Sequence, residues 1–401
     1  MTTLDLTTGR RVLQEGIQGK AFAGAVAGVT TRDQVLFLEA IGHSMLEPTV
    51  RLMETSDVFD IASLSKAVAT ATALLRLVHL GKVSLDEPVS AYIKEWNRSY
   101  HAEVSIRHLA THTSGLPAWF PTYTEASNPK EVLLLLSRLG FAYPTGTCVQ
   151  YSCLNYILLG LVLEAITGQS LDQVCHELVF APLGMKETAY LPLKNLDLDP
   201  ERLVLNEADS TIEKAMTKRA GLSFTKWREG YAPGIPNDGN ASYAMGGVSG
   251  NAGVFSTAPD LLLFAQAWLK SLGGQDHSFL TPSLARRATT DRTGGLHPPR
   301  GLGWLLATNT LVSGEDSLVH PSRLPYNSPP AYLTPFPRSS GELLSDRAFG
   351  HTGFTGTSLW IDPEKDLAII LLTNRLHIQT EMSLMNIRAR FHNAVVADLG
   401  L

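Results

Sequence analysis

The distribution of apolar residues along the chain predicts strands near both ends. Residues 21–44, "AFAGAVAGVTTRDQVLFLEAIGHS", hold two apolar runs joined by a short polar turn at Thr31-Arg32-Asp33. Near the other end, "GTSLWIDP" and "LAIILLTNR" are two further apolar, β-branched runs, separated by the turn "PEKD". These segments predict a single antiparallel sheet assembled from the two termini of the chain.

Between these strands the pattern changes to helical spacing. Apolar residues recur at helical positions over residues 64–81, and Gly81 ends the pattern. From about residue 86 to 290 the spacing is mainly helical, most clearly in "KEVLLLLSRL", "YILLGLVLEAIT" and "PDLLLFAQAWLKSL". A last helix is predicted over about 382–398. We therefore predict an α+β fold, in which helices flank the sheet and a mainly helical subdomain is inserted.

The same pattern predicts a division of the chain into two parts of one unit. Residues 1–85 and 290–401 are expected to form an α/β subdomain, and residues 86–289 a helical subdomain. Two stretches are predicted to be loops: 190–240, which is polar with little periodicity, and 312–340, which is dense in Pro and Ser. A proline-rich insertion of that length is expected to lie over a surface or to shape the mouth of a site.

Charge and composition exclude several classes of function. The chain of 401 residues has a formal net charge of -5 and no long run of Lys or Arg, which argues against nucleic acid or an anionic membrane as the main partner. No apolar run approaches the ~20 residues of a membrane helix. The N-terminus lacks the pattern of a signal peptide, so we expect a cytoplasmic location. The three cysteines suit neither a disulfide framework nor a zinc site.

The first candidate for chemistry is a serine and a lysine three residues apart. Ser63 and Lys66 open the apolar helix in "VFDIASLSKAVATATALL", and residues at this spacing share a helix face. A serine hydroxyl is a poor nucleophile until a nearby base takes its proton, and backbone N–H groups at a helix start suit an oxyanion. A second Ser-x-x-Lys, from Ser223 to Lys226, precedes no helix. The context therefore favours Ser63 as the nucleophile.

Several sequence blocks together resemble one known superfamily. "FDIASLSKAVATATALL" followed by "IRHLATHTSGLP" resembles the serine β-lactamases and penicillin-binding proteins, and most of all the class C branch with its related esterases and D-amino-acid peptidases. The likeness continues in "VQYSCLNYILLGLVLEAITGQSLDQVCHELVFAPLGM", "GGVSGNAGVFSTAPDLLLFAQAWL", "RGLGW" and "FGHTGFTGTSLWIDPEKDLAIILLTNR". These blocks run in family order from about residue 20 to 375. The resemblance implies that residues 1–401 form one β-lactamase-like catalytic unit.

The resemblance also implies roles for individual residues. Ser63 would be the acylated nucleophile and Lys66 its proton partner. The superfamily's Tyr-x-Asn motif falls on Tyr151-Ser152-Cys153, so Tyr151 would be the general base or a proton relay. The expected Asn is Cys153, and a thiol is a much weaker hydrogen-bonding group than an amide. We therefore expect a changed recognition of the substrate amide at this position.

The third motif of the superfamily departs from the β-lactamase pattern as well. Where β-lactamases have Lys-Thr-Gly, this chain has His351-Thr352-Gly353, followed by Phe354. The resemblance implies that His351 faces the substrate and that the N–H of Phe354 joins that of Ser63 in an oxyanion hole. Histidine in place of a permanent cation makes the contact pH-dependent and argues against efficient β-lactam hydrolysis.

Other motifs support alternative chemistry only weakly. His108 and His112 are four residues apart and could share a helix face as zinc ligands, but no third ligand has suitable spacing. The run "GGVSGNAG" lacks the Gly-Lys-Ser/Thr of a phosphate loop, and the Gly-x-Ser-x-Gly elbow of α/β-hydrolases is absent from the sequence. We expect no metal and no organic cofactor.

The prediction is a serine hydrolase that acts through an acyl-enzyme on a small ester or a peptide-like amide. Three alternatives stay open: an acyltransferase with the same catalytic residues, a penicillin-binding carboxypeptidase or β-lactamase, and a catalytically silent sensor of the same fold. The sequence leaves the acyl group, the leaving group and the oligomeric state undetermined.

Overall fold

Strands from both ends of the chain meet in one sheet in the computed structural model, which describes residues 5–97, 101–308, 339–378 and 384–401. Within these ranges the strands, in chain order, are β1 Gly24–Thr30, β2 Val35–Met45, β3 Arg51–Leu52, β4 Phe59–Asp60, β5 Ala189–Tyr190, β6 Val254–Ser256, β7 Leu305–Leu306, β8 Phe349–Thr352, β9 Ser358–Asp362 and β10 Leu367–Thr373.

Seven of these strands form the large sheet, in the order β3-β2-β1-β10-β9-β8-β7. Each neighbouring pair is antiparallel. The first and last long strands lie side by side at its centre, with Ala25 opposite Thr373 and Thr30 opposite Ala368. The sheet built from both termini, which the apolar runs predicted, is therefore confirmed.

Helices account for most of the remaining regular structure. Within the described ranges they are α1 Thr7–Gln18, α2 Thr72–His79, α3 Ile106–Ala110, α4 Pro129–Leu136, α5 Cys153–Thr167, α6 Leu171–Cys175, α7 Pro192–Asn195, α8 Thr211–Arg219, α9 Ala258–Gly273, α10 Pro282–Ala288 and α11 Met385–Asp398. The local sequence determines where several of these helices begin. At α4 and α9 a polar N-cap, Asn128 or Thr257, accepts an N–H from the first turn, and a proline occupies the first or second helical position.

Both faces of the large sheet are covered, which explains why its central strands are apolar at nearly every position. In β10, Ile369 and Leu371 face the cluster that includes α1 and α11, whereas Ile370 and Leu372 face the cluster that includes α9. Successive side chains of a strand point to opposite faces, so one uninterrupted apolar run serves two cores.

The most apolar helix, α5, is a core helix. Its residues from Cys153 to Leu163 are buried. Within the described residues, no single helix has both the length and the apolar composition to cross a membrane. Only Cys153–Thr167 taken together with Leu171–Phe180 has both, and these two helices are bent by 82° relative to each other.

A second, three-stranded sheet lies close to the candidate serine. Its order is β4-β6-β5, so it pairs Phe59–Asp60 with residues from the middle of the chain. Strands of two or three residues carry too little pattern to be seen in the sequence, and this sheet was not predicted. The division of the chain near residues 85 and 290 stays a prediction.

Two loop predictions have different outcomes. Residues 190–240 are not entirely irregular, because they contain α7 and α8. The prediction was wrong at α8 because that helix buries only Thr217 and so lacks an apolar stripe. Of the proline-rich segment 312–340, residues 309–338 lie outside the described part of the chain. The N-terminal helix α1 was not predicted either.

Close packing between α5 and the glycine-rich segment before β6 provides a test of this architecture. A Cβ added to Gly250 would lie 2.0 Å from the carbonyl oxygen of Tyr156 and 3.0 Å from the nitrogen of Gly160. Gly250→Ala should therefore push the segment and the helix apart and lower the free energy of unfolding by about 1–3 kcal/mol, measured by chemical denaturation. Gly140→Ala is the matched control, because a Cβ there has no neighbour within 4 Å. Equal stability of both variants would contradict this packing.

Candidate active site

Ser63 follows a turn that a buried carboxyl group holds. Ala62, the residue before it, has a φ of 47°, in the left-handed region that residues other than glycine rarely adopt. The carboxyl of Asp60 accepts the backbone N–H of Ala62 at 2.9 Å and that of Asn237 at 2.7 Å. Burial raises the pKa of this carboxyl to about 6, and the two N–H groups oppose that rise. The side chain of Asp60 therefore stabilises the unusual conformation that precedes Ser63.

The loop after β8 is fixed to the same turn. The hydroxyls of Thr355 and Thr357 donate to the carbonyl oxygens of Asp60 and Ile61, at 2.7 and 3.0 Å. A Cβ on Gly353 would lie 2.1 Å from Oγ1 of Thr357 and 2.6 Å from the carbonyl oxygen of Ile61. Only glycine permits this approach, so the third motif and the serine turn form one rigid unit.

The lysine of the first motif is fully buried and touches the serine. Its Nζ lies 2.8 Å from Oγ of Ser63 and 2.9 Å from the carbonyl oxygen of Asn251, with 0% of Lys66 exposed. The backbone from Lys66 to Ala71 is π-helical and continues into α2. Such π-helical turns inside helices are frequent at functional sites. The structure thus brings the predicted pair together and adds Asn251, which sequence reasoning did not identify.

Tyr151 completes a three-residue cluster. Its hydroxyl donates to Oγ of Ser63 at 2.9 Å. The next residue is anchored, because the N–H of Ser152 donates to Nδ1 of His112 at 3.1 Å and its hydroxyl donates to the carbonyl of Pro117 at 2.6 Å. Tyr151 is 5% exposed. Residues 88 positions apart in the chain therefore meet at one oxygen atom.

Basic side chains surround the tyrosine ring. The Nζ of Lys66 lies 4.9 Å and the Cζ of Arg300 lies 5.2 Å from its centroid. The ring of His112 is 4.7 Å away, centroid to centroid. Burial holds the pKa of His112 well below its ordinary value, and the charges on Arg300 and Lys66 lower it further. Arg300 belongs to the block "RGLGW" of the family resemblance, but no pattern in the sequence marks it as a site residue.

Cys153 is the first residue of α5, next to this cluster. It is 6% exposed, and its N–H donates to the carbonyl oxygen of Ala118 at 3.0 Å. The nearby Asn155 does not take over the position of the missing asparagine. Its Oδ1 accepts the hydroxyl of Ser114, and its Nδ2 lies 3.4 Å from Nδ1 of His112. The substitution at Cys153 is therefore a local change of chemistry in an otherwise complete cluster.

His351 lies in β8, near the ring of Tyr151. It is 1% exposed, its Nδ1 is 2.8 Å from the carbonyl oxygen of Thr352, and its ring centroid is 6.1 Å from that of Tyr151. The N–H of Gly353, two residues farther along the chain, donates to the carbonyl oxygen of Thr357 at 2.7 Å. Within the described part of the chain, neither Ser63 nor Phe354 donates its backbone N–H to another residue.

The second Ser-x-x-Lys lies outside this cluster. Ser223 and Lys226 are in irregular chain after α8, where Phe224 and Trp227 pack with Tyr123.

The two candidate zinc ligands have structural contacts instead. Nδ1 of His108 accepts the N–H of Ser105 at the start of α3, and His112 accepts that of Ser152. Across the described ranges, no three His, Cys, Asp or Glu side chains are grouped so that they could hold a metal ion.

Comparisons with known proteins identify the family of the chain. The sequence profile of the family described as "Beta-lactamase" matches residues 10–394. The N-acetylmuramyl-L-alanine amidase of Bacillus subtilis (strain 168) is 30% identical over 378 residues, which is 89% of this chain and 78% of that protein. A protein of Escherichia coli O157:H7, assigned provisionally as a D-alanyl-D-alanine carboxypeptidase, is 30% identical over 80% of this chain and 70% of its own length.

A solved structure supports the same fold. The class C β-lactamase from Rhodobacter sphaeroides superposes with a TM-score of 0.67 at 20% identity, over 98% of this chain and 99% of that one. The family profile spans nearly the whole chain, and the curated relatives extend over most of it. The chain therefore belongs to the β-lactamase family of serine hydrolases.

Proposed function

We propose that this chain hydrolyses small esters and peptide-like amides through an acyl-enzyme formed on Ser63. The observation that carries the proposal is the position of the Ser63 hydroxyl, which lies 2.8 Å from the amine of Lys66 and 2.9 Å from the phenol of Tyr151. These are hydrogen-bond distances to two groups that can exchange a proton with it.

The proposed first step is attack of the Ser63 oxygen on the substrate carbonyl carbon. A new C–O bond forms, and the electron pair of the C=O bond moves onto the carbonyl oxygen. The ionised form of Tyr151 takes the serine proton, and the buried ammonium of Lys66 stabilises the negative charge that passes between the two oxygens. In this proposal Ser63 and Tyr151 keep the roles that the family resemblance implies, whereas Lys66 acts through its charge.

The developing oxyanion would be held by two backbone N–H groups. Those of Ser63 and Phe354 are the candidates, because no other described residue accepts a hydrogen bond from them. The loop of Phe354 is tied to the serine turn by the hydroxyls of Thr355 and Thr357. Donors fixed in advance of the reaction stabilise the transition state without reorganisation during it.

In the steps that follow, Tyr151 first gives up this proton and then accepts another from water. The proton held on Tyr151 passes to the leaving alcohol or amine as its bond to the carbonyl carbon breaks, leaving the acyl group on Ser63. Water then gives its proton to Tyr151 and attacks the acyl carbon. The collapse of that intermediate releases the acid and returns a proton to the oxygen of Ser63.

The substrate class is proposed from the relatives and from two departures in the motifs. The relatives' names point to amide bonds next to alanine, which supports small peptide-like substrates and partners of that kind. His351 replaces the permanent cation of the third motif, and Cys153 replaces an amide, so efficient β-lactam hydrolysis is not proposed. Residues Gly353 and Phe354 are proposed to shape the substrate side of the oxyanion hole. The cytoplasmic location stays a prediction.

Substitution of the nucleophile tests this proposal. Ser63→Ala should abolish turnover of p-nitrophenyl acetate because no other described hydroxyl contacts both Lys66 and Tyr151. Ser223→Ala, the matched control at the second Ser-x-x-Lys, should leave turnover within twofold of wild type. The rates are measured by release of p-nitrophenol, with circular dichroism as the check on folding. Equal turnover in wild type and Ser63→Ala would contradict the proposal, and an inactive wild type would favour the silent alternative.

The altered second motif gives another prediction. Cys153→Asn should raise the ratio of amide to ester hydrolysis about tenfold, because an amide side chain forms stronger hydrogen bonds with a substrate amide than a thiol does. The measurement compares kcat/KM for a D-alanyl p-nitroanilide and for p-nitrophenyl acetate. Cys148→Asn, at a cysteine outside the motif, is the control and should leave the ratio unchanged. An unchanged ratio in Cys153→Asn would exclude this position from amide recognition.

A further inference from the structure

The third motif of this chain does not supply the permanent positive charge that would favour the ionised form of Tyr151. A tyrosine acts as a general base only in its ionised form, and an ordinary tyrosine loses its proton near pH 10. A permanent positive charge nearby favours the phenolate. The motif residue His351 carries a charge only when it is protonated, so it does not supply a permanent one.

The structure contains a permanent cation beside the ring. The guanidinium carbon of Arg300 lies 5.2 Å from the centroid of Tyr151, a distance close to the 4.9 Å of the Lys66 amine. Arg300 is 2% exposed, so solvent screens its charge little. An arginine side chain stays protonated at any physiological pH.

The backbone of Arg300 is fixed where the chain enters the large sheet. Its carbonyl oxygen accepts the N–H of Arg292 at 2.8 Å, and the residue forms a β-bridge with Leu305 in β7. The next residue is also constrained, because a Cβ on Gly301 would lie 2.2 Å from the carbonyl oxygen of Ala288. A buried long side chain with an anchored backbone keeps its charge in one place.

Among the residues that the structure describes, four charged or titratable side chains approach Tyr151 from four different segments. Lys66 comes from the π-helical turn, His112 from the chain after α3, Arg300 from the chain before β7, and His351 from β8. Burial and the neighbouring cations hold the pKa of His112 well below its ordinary value. Among the described residues, Arg300 thus adds a guanidinium beside the ring to the amine of Lys66.

We propose that Arg300 is a positioning residue that stabilises the phenolate of Tyr151, taking over the permanent positive charge that His351 does not supply. The inference rests on the proposed function, in which Tyr151 is the general base. Arg300 acts through the tyrosine and does not need to touch the substrate. Lys66 contacts the oxygen of Ser63 directly, at 2.8 Å, so the two basic side chains have separate tasks.

The inference predicts a shift in the pH dependence of turnover. A positive charge within about 4–6 Å of an acidic group lowers the pKa of that group by about one unit or more. Arg300→Met should therefore move the acidic limb of the kcat/KM profile upward by about one unit. At a fixed pH below the midpoint this corresponds to a loss of about tenfold. Arg300→Lys keeps the charge and should retain most of the wild-type midpoint.

The first experiment measures these profiles with p-nitrophenyl acetate for wild type, Arg300→Lys and Arg300→Met, alongside thermal unfolding of each protein. An upward shift in Arg300→Met with near-normal behaviour of Arg300→Lys supports the inference. A folded Arg300→Met with the wild-type midpoint overturns it. If Arg300→Met does not fold, Arg300→Gln replaces it, since glutamine keeps a long polar side chain without the charge.

A second experiment reads the ionisation of Tyr151 without turnover. The tyrosinate absorbance of each protein is titrated with pH, and the curve of the matching Tyr151→Phe variant is subtracted. The difference should have its midpoint about one unit higher in Arg300→Met than in wild type. Full activity of Tyr151→Phe would contradict the proposed function itself. An inactive Tyr151→Phe, together with identical titration midpoints in wild type and Arg300→Met, would contradict only the present inference.

Discussion

The site depends on the burial of one amine. Lys66 has no exposed surface, and a buried cation is costly unless its N–H groups find acceptors. Two of those acceptors are Oγ of Ser63 and the carbonyl oxygen of Asn251. The first links the amine to the proposed nucleophile. The second requires the glycine-rich segment of Asn251 to lie against the helical core, so the chemistry is tied directly to packing.

Near that amine, a strained backbone residue is stabilised by a buried carboxyl group. Ala62 has an unusual backbone conformation, and the buried carboxyl of Asp60 accepts its N–H. The amide of Asn251 donates to the carboxylate of Asp238 at 3.0 Å, which orients the segment that supplies the carbonyl to Lys66. Strained and buried polar groups of this kind are typical of functional sites, where the surrounding fold holds a geometry that is not locally favourable.

Much of this arrangement was predictable because it is local or periodic. The strands β1, β2, β9 and β10 are long and apolar, and the spacing of Ser63 and Lys66 alone implies that they share a helix face. The family resemblance added Tyr151, a position that no local pattern connects to Ser63.

The parts that could not be predicted depend on contacts between distant segments. The strands β4, β5 and β6 have two or three residues each, too few for a pattern. Arg300 stands in a short motif whose sequence gives no sign that its guanidinium lies over a tyrosine 149 residues earlier. The polar helix α8 buries a single residue, so its pattern resembles that of a loop. Charge and burial at such positions become visible only when the chain is folded.

The central claim is that Ser63 is an activated nucleophile. Its most direct test is the intact mass of the protein after exposure to a fluorophosphonate, followed by peptide mapping of any adduct. The account predicts a single adduct per chain, on Ser63, because the hydroxyl between Lys66 and Tyr151 is the one prepared to lose its proton. A folded protein that forms no adduct, or that carries the adduct on another residue, would contradict the account.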